Sequence, residues 1–66
     1  MKPHQERVVI ERNELNEKLY KLKSFIDDRK IFENIPLEEQ DRLIRQCNIM
    51  QNYLNVLDER ITSFKE

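Results

Sequence analysis

The clearest pattern in the chain is a run of apolar positions in its second half. Leu43, Cys47, Met50, Leu54, Leu57, Ile61 and Phe64 recur at intervals of four, three, four, three, four and three. A repeat of this kind, held for three heptads, is the seam of a coiled coil. In the first half, Leu15, Leu19, Leu22 and Ile26 keep the same rhythm, and Val8 lies one heptad before Leu15. That stripe is amphipathic and belongs to a helix, because a strand would alternate at every second residue. Phe25 widens it near its C-terminal end.

Between the two stripes the rhythm breaks, over Asp27 to Ile35. The aspartates and Asn34 bond readily to nearby backbone and favour a turn. Pro36 restarts a helix at or near its first position, and a proline there pushes Ile35 out of the helical region. Glu38 and Glu39 then fall in the first turn, where carboxylates complement the helix dipole. Pro3 suits the opening turn of the first helix for the same reason as Pro36. The pattern predicts one domain over residues 1–66: a helix over about 3–28, a connection over about 29–35 and a helix over about 36–65. At about 1.5 Å per residue each helix is roughly 40 Å long, and the short link makes them antiparallel. Ile31, Phe32 and Ile35 are too apolar for a loop hanging in water, so they are expected to plug the end of the helix pair.

The predicted fold class is therefore all-α, an antiparallel two-helix coiled-coil hairpin that oligomerises into a helical bundle. Oligomerisation is expected from what the seam leaves uncovered. Ile49, Tyr53 and Val56 form a second stripe on helix two, Ile44 lies on the other flank, and Val9, Ile10 and Tyr20 fall outside the stripe of helix one. Scattered surface apolar residues are normal. A chain this short, however, struggles to bury enough area by itself, which favours a protein-protein surface at Ile49, Tyr53 and Val56.

Composition narrows the function classes. The absence of Gly argues against a β-fold, whose hairpin turns need residues at positive φ. Twelve Lys+Arg against thirteen Asp+Glu give a net charge of -1, without the basic excess of a general nucleic-acid binder. No apolar run exceeds three residues, so neither a membrane span nor a signal-peptide core is expected. Single Cys and His residues, Cys47 and His4, offer no metal-ligand spacing and no nucleophile–base pair. Cys47 reads as a small core hydrophobe in a reducing compartment. No cofactor and no enzymatic activity are expected, since no Gly-rich phosphate loop or catalytic pair is present.

The remaining chemistry resides in a few cations and aromatics. Arg12 occupies a heptad position that asks for an aliphatic. Its stem can snorkel along apolar surface, or its guanidinium can face a carboxylate or phosphate at a subunit junction. Tyr20 and Tyr53 have rings that stack on purines and bodies that suit packing interfaces. Lys18, Lys21, Lys23, Arg29 and Lys30 gather near the hairpin tip, as a solvated face or an anion site. Asn48, Asn52 and Asn55 edge Tyr53 with amides.

The order of residues carries a resemblance. Met1-Lys2-Pro3-His4-Gln5, Glu14-Leu15, Lys18-Leu19, Lys21-Leu22 and Phe25-Ile26 are followed by Ile31-Phe32, Pro36, Glu38-Glu39-Gln40 and Arg42-Leu43. Gln46, Met50, Tyr53, Val56-Leu57, Arg60-Ile61 and Phe64 complete the series. Across nearly the whole chain this resembles a family of very short phage proteins known by their relation to a hypothetical protein of a crAss-like phage. The resemblance implies a phage or prophage origin and action in the cytoplasm of the infected bacterium. It brings no catalytic residue with it. By analogy with other small non-structural phage proteins, it implies an inhibitor of bacterial immunity. One form is an oligomeric sponge that sequesters a cyclic nucleotide or ADP-ribose-type signal without cleaving it. Its ligand would be held by Arg12, Tyr20, Arg45, Tyr53 and Arg60, which supply cations for phosphates and rings for bases. The alternative is a protein-binding inhibitor or adaptor that lays its apolar helix face on a host defence protein. A structural virion role suits this length less well.

Overall fold

The computed structural model describes residues 1–64. The chain forms α1 (Pro3–Asp27), α2 (Arg29–Phe32) and α3 (Leu37–Thr62), without a strand among the described residues. The two long helices pack against each other as an antiparallel hairpin, in a rod 49 Å long and 13 to 14 Å across. Val8, Leu15 and Leu19 from α1 meet Leu54 and Leu57 from α3 in the buried core. Cys47, Met50, Ile61 and Phe64 are half-buried against that core. The four-three spacing thus does what it predicts: one apolar stripe of each helix closes on the other.

Each seam ends in a glutamine. One step before Val8 is Gln5, which is only 5% exposed. Its Oε1 accepts a hydrogen bond from the Lys2 N–H at 3.0 Å, so the buried amide closes the first turn of α1. One step before Leu43 is Gln40. Its Nε2 donates to the carbonyls of Phe32 at 3.0 Å and Ile35 at 2.8 Å, tying the connection to the start of α3. The Phe32 carbonyl also accepts from the Ile35 N–H at 3.1 Å, so this side chain adds a second donor there and gives the Ile35 carbonyl a partner.

The boundaries differ from the expected ones in detail. Helix one ends at Asp27, and Asp28 is its cap, with its one N–H shared between the Ser24 and Phe25 carbonyls. Part of the expected connection is itself a helical turn, α2, because the Asp28 carbonyl accepts from Ile31 and Phe32. Pro36 is the cap of α3 and not its first residue: its carbonyl accepts from Glu39 and Gln40 while its ψ of 141° stays extended. The last helical residue is Thr62, and the expected end near residue 65 lies outside the described residues. Of the three residues expected to plug the end of the helix pair, Phe32 and Ile35 are half-buried and Ile31 remains 48% exposed.

Candidate functional site

Two side-chain bridges span the hairpin and identify its flanks. Arg12 Nε donates to Asp58 Oδ1 at 2.8 Å. Eleven residues further along α1, Lys23 Nζ donates to Gln51 Oε1 at 2.9 Å. Both bridges lie on the same side of the seam, since Asp58 and Gln51 are one heptad apart on α3. Tyr20, three residues before Lys23, belongs to this side and is 72% exposed.

The other side of α3 carries a different surface. Tyr53 precedes the buried Leu54 by one residue, which places it on the flank away from Gln51 and Asp58. Ile49 at 67%, Tyr53 at 43% and Val56 at 51% exposed form a continuous apolar strip there. Three of these within two turns is a patch, not scatter. Next to it, Arg42, Arg45, Gln46, Ile49 and Met50 line a shallow depression of about 310 Å³. Its walls combine two guanidiniums, one amide and two apolar side chains. Those are the charged donors and apolar contacts that an anionic organic ligand uses. Arg42 is bonded to Glu39 at 2.7 Å and Arg45 to Asp41 at 2.9 Å, but all four side chains are about half or more exposed to water. Such surface pairs are weak and exchange readily for a better anion.

The five residues expected to hold a ligand therefore occupy distinct places. Arg12, with 32% of its side chain exposed, points along the seam edge and is engaged by Asp58, while its Nη1 also reaches Asn13 Oδ1 at 3.4 Å. Tyr20 shares that flank. Tyr53 lies on the opposite one, with Arg45 and Arg60 on the exposed part of α3 to either side of it in sequence. Arg45 and Arg60 are separated by roughly 22 Å of helix axis at about 1.5 Å per residue. One chain does not gather all five around a single small molecule. The cationic tip residues Lys18, Lys21, Arg29 and Lys30 are exposed, as are Asn48, Asn52 and Asn55.

Sequence reasoning missed three residues. Gln5 and Gln40 continue the two seams by one four-three step, and extending the count would have found them. Asp58 directly follows the core Leu57, and only the hairpin register shows that it faces Arg12. Among the described residues there is no cluster of three or more His, Cys, Asp or Glu placed to hold a metal ion. No described helix is long and apolar enough to cross a membrane.

A family model described as Sequestin matches residues 2–63, nearly the whole chain. No curated protein and no solved structure matches.

Proposed function

This chain belongs to the Sequestin family, and from that premise we propose that it is a phage-encoded sponge. It assembles as a homo-oligomer in the cytoplasm of the infected bacterium. There it binds a nucleotide-derived immune signal, of cyclic-nucleotide or ADP-ribose type, and holds it intact. The match over residues 2–63 carries the reading, because the family is named for sequestration and not for turnover. The depression on α3 supports it: Arg42 and Arg45 present guanidiniums to a phosphate, and Ile49 and Met50 offer an apolar floor to a base. Binding without chemistry asks only for complementary donors and a desolvated contact, which a helical rod of this size can provide at a subunit junction.

The exposed Ile49, Tyr53 and Val56 strip favours a second reading, in which the same face binds a host defence protein as an amphipathic helix docks in a groove. A thermal-shift panel of cyclic mono- and oligonucleotides and ADP-ribose derivatives separates the two. At a ligand concentration 100 times Kd, mass action adds about 2.7 kcal/mol to the folded state. In a domain this small that raises Tm by roughly 10 °C or more. Mass spectrometry of the released ligand should find it unaltered. No shift with any nucleotide overturns the sponge and leaves the protein-binding reading.

A further inference from the structure

The exposed face of α3 carries a second four-three seam. Arg42, Gln46, Ile49, Tyr53, Val56, Arg60 and Ser63 step by four, three, four, three, four and three, parallel to the buried seam. Tyr53 is its midpoint. Ile49 stands four residues before Tyr53 and Val56 three after; Gln46 stands seven before and Arg60 seven after. On the outer edge, Arg45 lies eight before and Glu59 six after. A face whose apolar centre reads alike from both ends, and whose outer edge puts opposite charges at one pair of corresponding places, Arg45 and Glu59, is complementary to itself there under a two-fold axis.

We propose that a second copy of this chain packs antiparallel on this face about a two-fold axis at Tyr53, so that Arg60 of the second copy completes the depression lined by Arg42 and Arg45. The inference rests on the sponge reading for the ligand, though not for the pairing. The hairpin supplies the register. Applied to the outer seam, the antiparallel geometry that joins α1 to α3 sets Tyr53 against Tyr53, Ile49 against Val56 and Gln46 against Arg60. Arg45 then faces Glu59 of the second copy at both ends. A parallel, in-register pairing instead stacks Arg42, Arg45 and Arg60 each on its own copy, and like charges across a contact repel. The antiparallel arrangement covers the exposed strip with itself and stacks the two tyrosines at the centre. It also removes the separation of Arg45 and Arg60 noted within one chain. Each dimer carries two equivalent junctions, with Arg42 and Arg45 from one copy and Arg60 from the other, a set that suits phosphate oxygens.

Cysteine pairing tests the orientation. Two chains are made in a Cys47→Ala background, one with Ile49→Cys and one with Val56→Cys, then mixed in equal amounts and oxidised. Mass spectrometry should find the mixed 49–56 disulfide at least tenfold over either like-with-like product. Predominance of 49–49 and 56–56 products, or no crosslink, overturns the antiparallel pairing. If Cys47→Ala lowers helicity, the same pair is built on the unmodified chain and the crosslink is mapped by peptide digestion with the same criteria. In the unmodified protein, sedimentation of Arg45→Glu and of Glu59→Arg should each show association weakened about tenfold, and the double exchange should restore it. Calorimetry against the nucleotide panel keeps the two ideas apart. A monomer that takes up a nucleotide overturns the pairing and leaves the sponge. An antiparallel dimer that takes up none upholds the pairing and overturns both the sponge and the composite site.

Discussion

Arg12 and Asp58, forty-six residues apart in the chain, meet at 2.8 Å across the hairpin, an ion pair at the seam edge where α1 has a cation in place of an aliphatic. The guanidinium keeps a third of its surface in water and the carboxylate nearly half, so solvent screens the attraction. The pair should therefore contribute little to stability, about 0.2–1 kcal/mol. Arg12→Met places an unbranched apolar side chain in the same seam position, where it can pack on Leu15 and its neighbours. Urea unfolding of Arg12→Met, Asp58→Asn and the double variant should give a coupling energy no larger than about 1 kcal/mol. A coupling of several kcal/mol would show the pair to be a buried one.

The core itself should be unforgiving. Leu57 is 1% exposed and Leu54 5%, and among the described residues only three other aliphatic side chains are buried with them. Truncating either to alanine should cost about 2–5 kcal/mol, the range for a buried leucine. A domain of this size has little more than that to lose. Far-UV circular dichroism of Leu54→Ala and Leu57→Ala should show loss of most helicity at 25 °C. Unchanged helicity and Tm would mean that the core has another source of stability.

The helices and their pairing were legible because a four-three apolar repeat has only one comfortable packing arrangement. Val8, Leu15, Leu19, Leu54 and Leu57 were all on the expected stripes, and each is buried. Less of the connection could be read. Whether a stretch such as Arg29–Phe32 curls into one more turn depends on Asp28 and Gln40 finding backbone partners, and no periodicity encodes that. Site residues were harder still. The sequence could nominate Arg12, Arg45 and Arg60 as cations, but not their neighbours: Asp58 engages Arg12 from the other helix, and Asp41 engages Arg45 from one turn away. Charge type is written in sequence, while charge pairing is settled by register.

Gln40 should act as the latch of the connection. Its two donated hydrogen bonds, at 3.0 and 2.8 Å, go to backbone carbonyls of Phe32 and Ile35. Gln40→Ala removes both, and at about 0.5–1.5 kcal/mol for each bond the loss should reach roughly 1–3 kcal/mol. Its signature is local. Amide hydrogen exchange should quicken over residues 29–36, with α1 and the middle of α3 less affected. Uniform loss of protection along the chain would instead make Gln40 part of the global core.

Assembly should respond to the exposed strip and not to the buried seam. Tyr53→Glu with Val56→Lys alters two side chains that are 43% and 51% exposed, so the hairpin should keep its helicity. Sedimentation should show the oligomer order falling while the circular dichroism spectrum is retained. An unmodified chain that sediments as a stable 8.2 kDa species at micromolar concentration would remove the reason for the experiment and the oligomer with it.

Ligand binding should separate arginines that look equivalent in the sequence. Arg45 borders the depression and is held by Asp41 in a pair whose two side chains are 65% and 67% exposed. Water screens that contact, so a phosphate can displace the carboxylate at small cost. Arg12 is more enclosed, and its Nε is committed to Asp58. Extracting it leaves a carboxylate beside the seam without its cation. A ligand on the outer face of α3 should therefore lose roughly 10- to 150-fold in affinity with Arg45→Gln, corresponding to about 1.5–3 kcal/mol for a lost charge-assisted bond. The same calorimetric titration should find Arg12→Met and Tyr20→Ala within about threefold of the unmodified protein, because both lie on the opposite flank. The reverse result, with Arg12→Met abolishing binding and Arg45→Gln harmless, would place the ligand on the flank of Asp58. Asp58 would then be the counter-charge that the ligand must displace, and Asp58→Asn should tighten binding instead of leaving it unchanged.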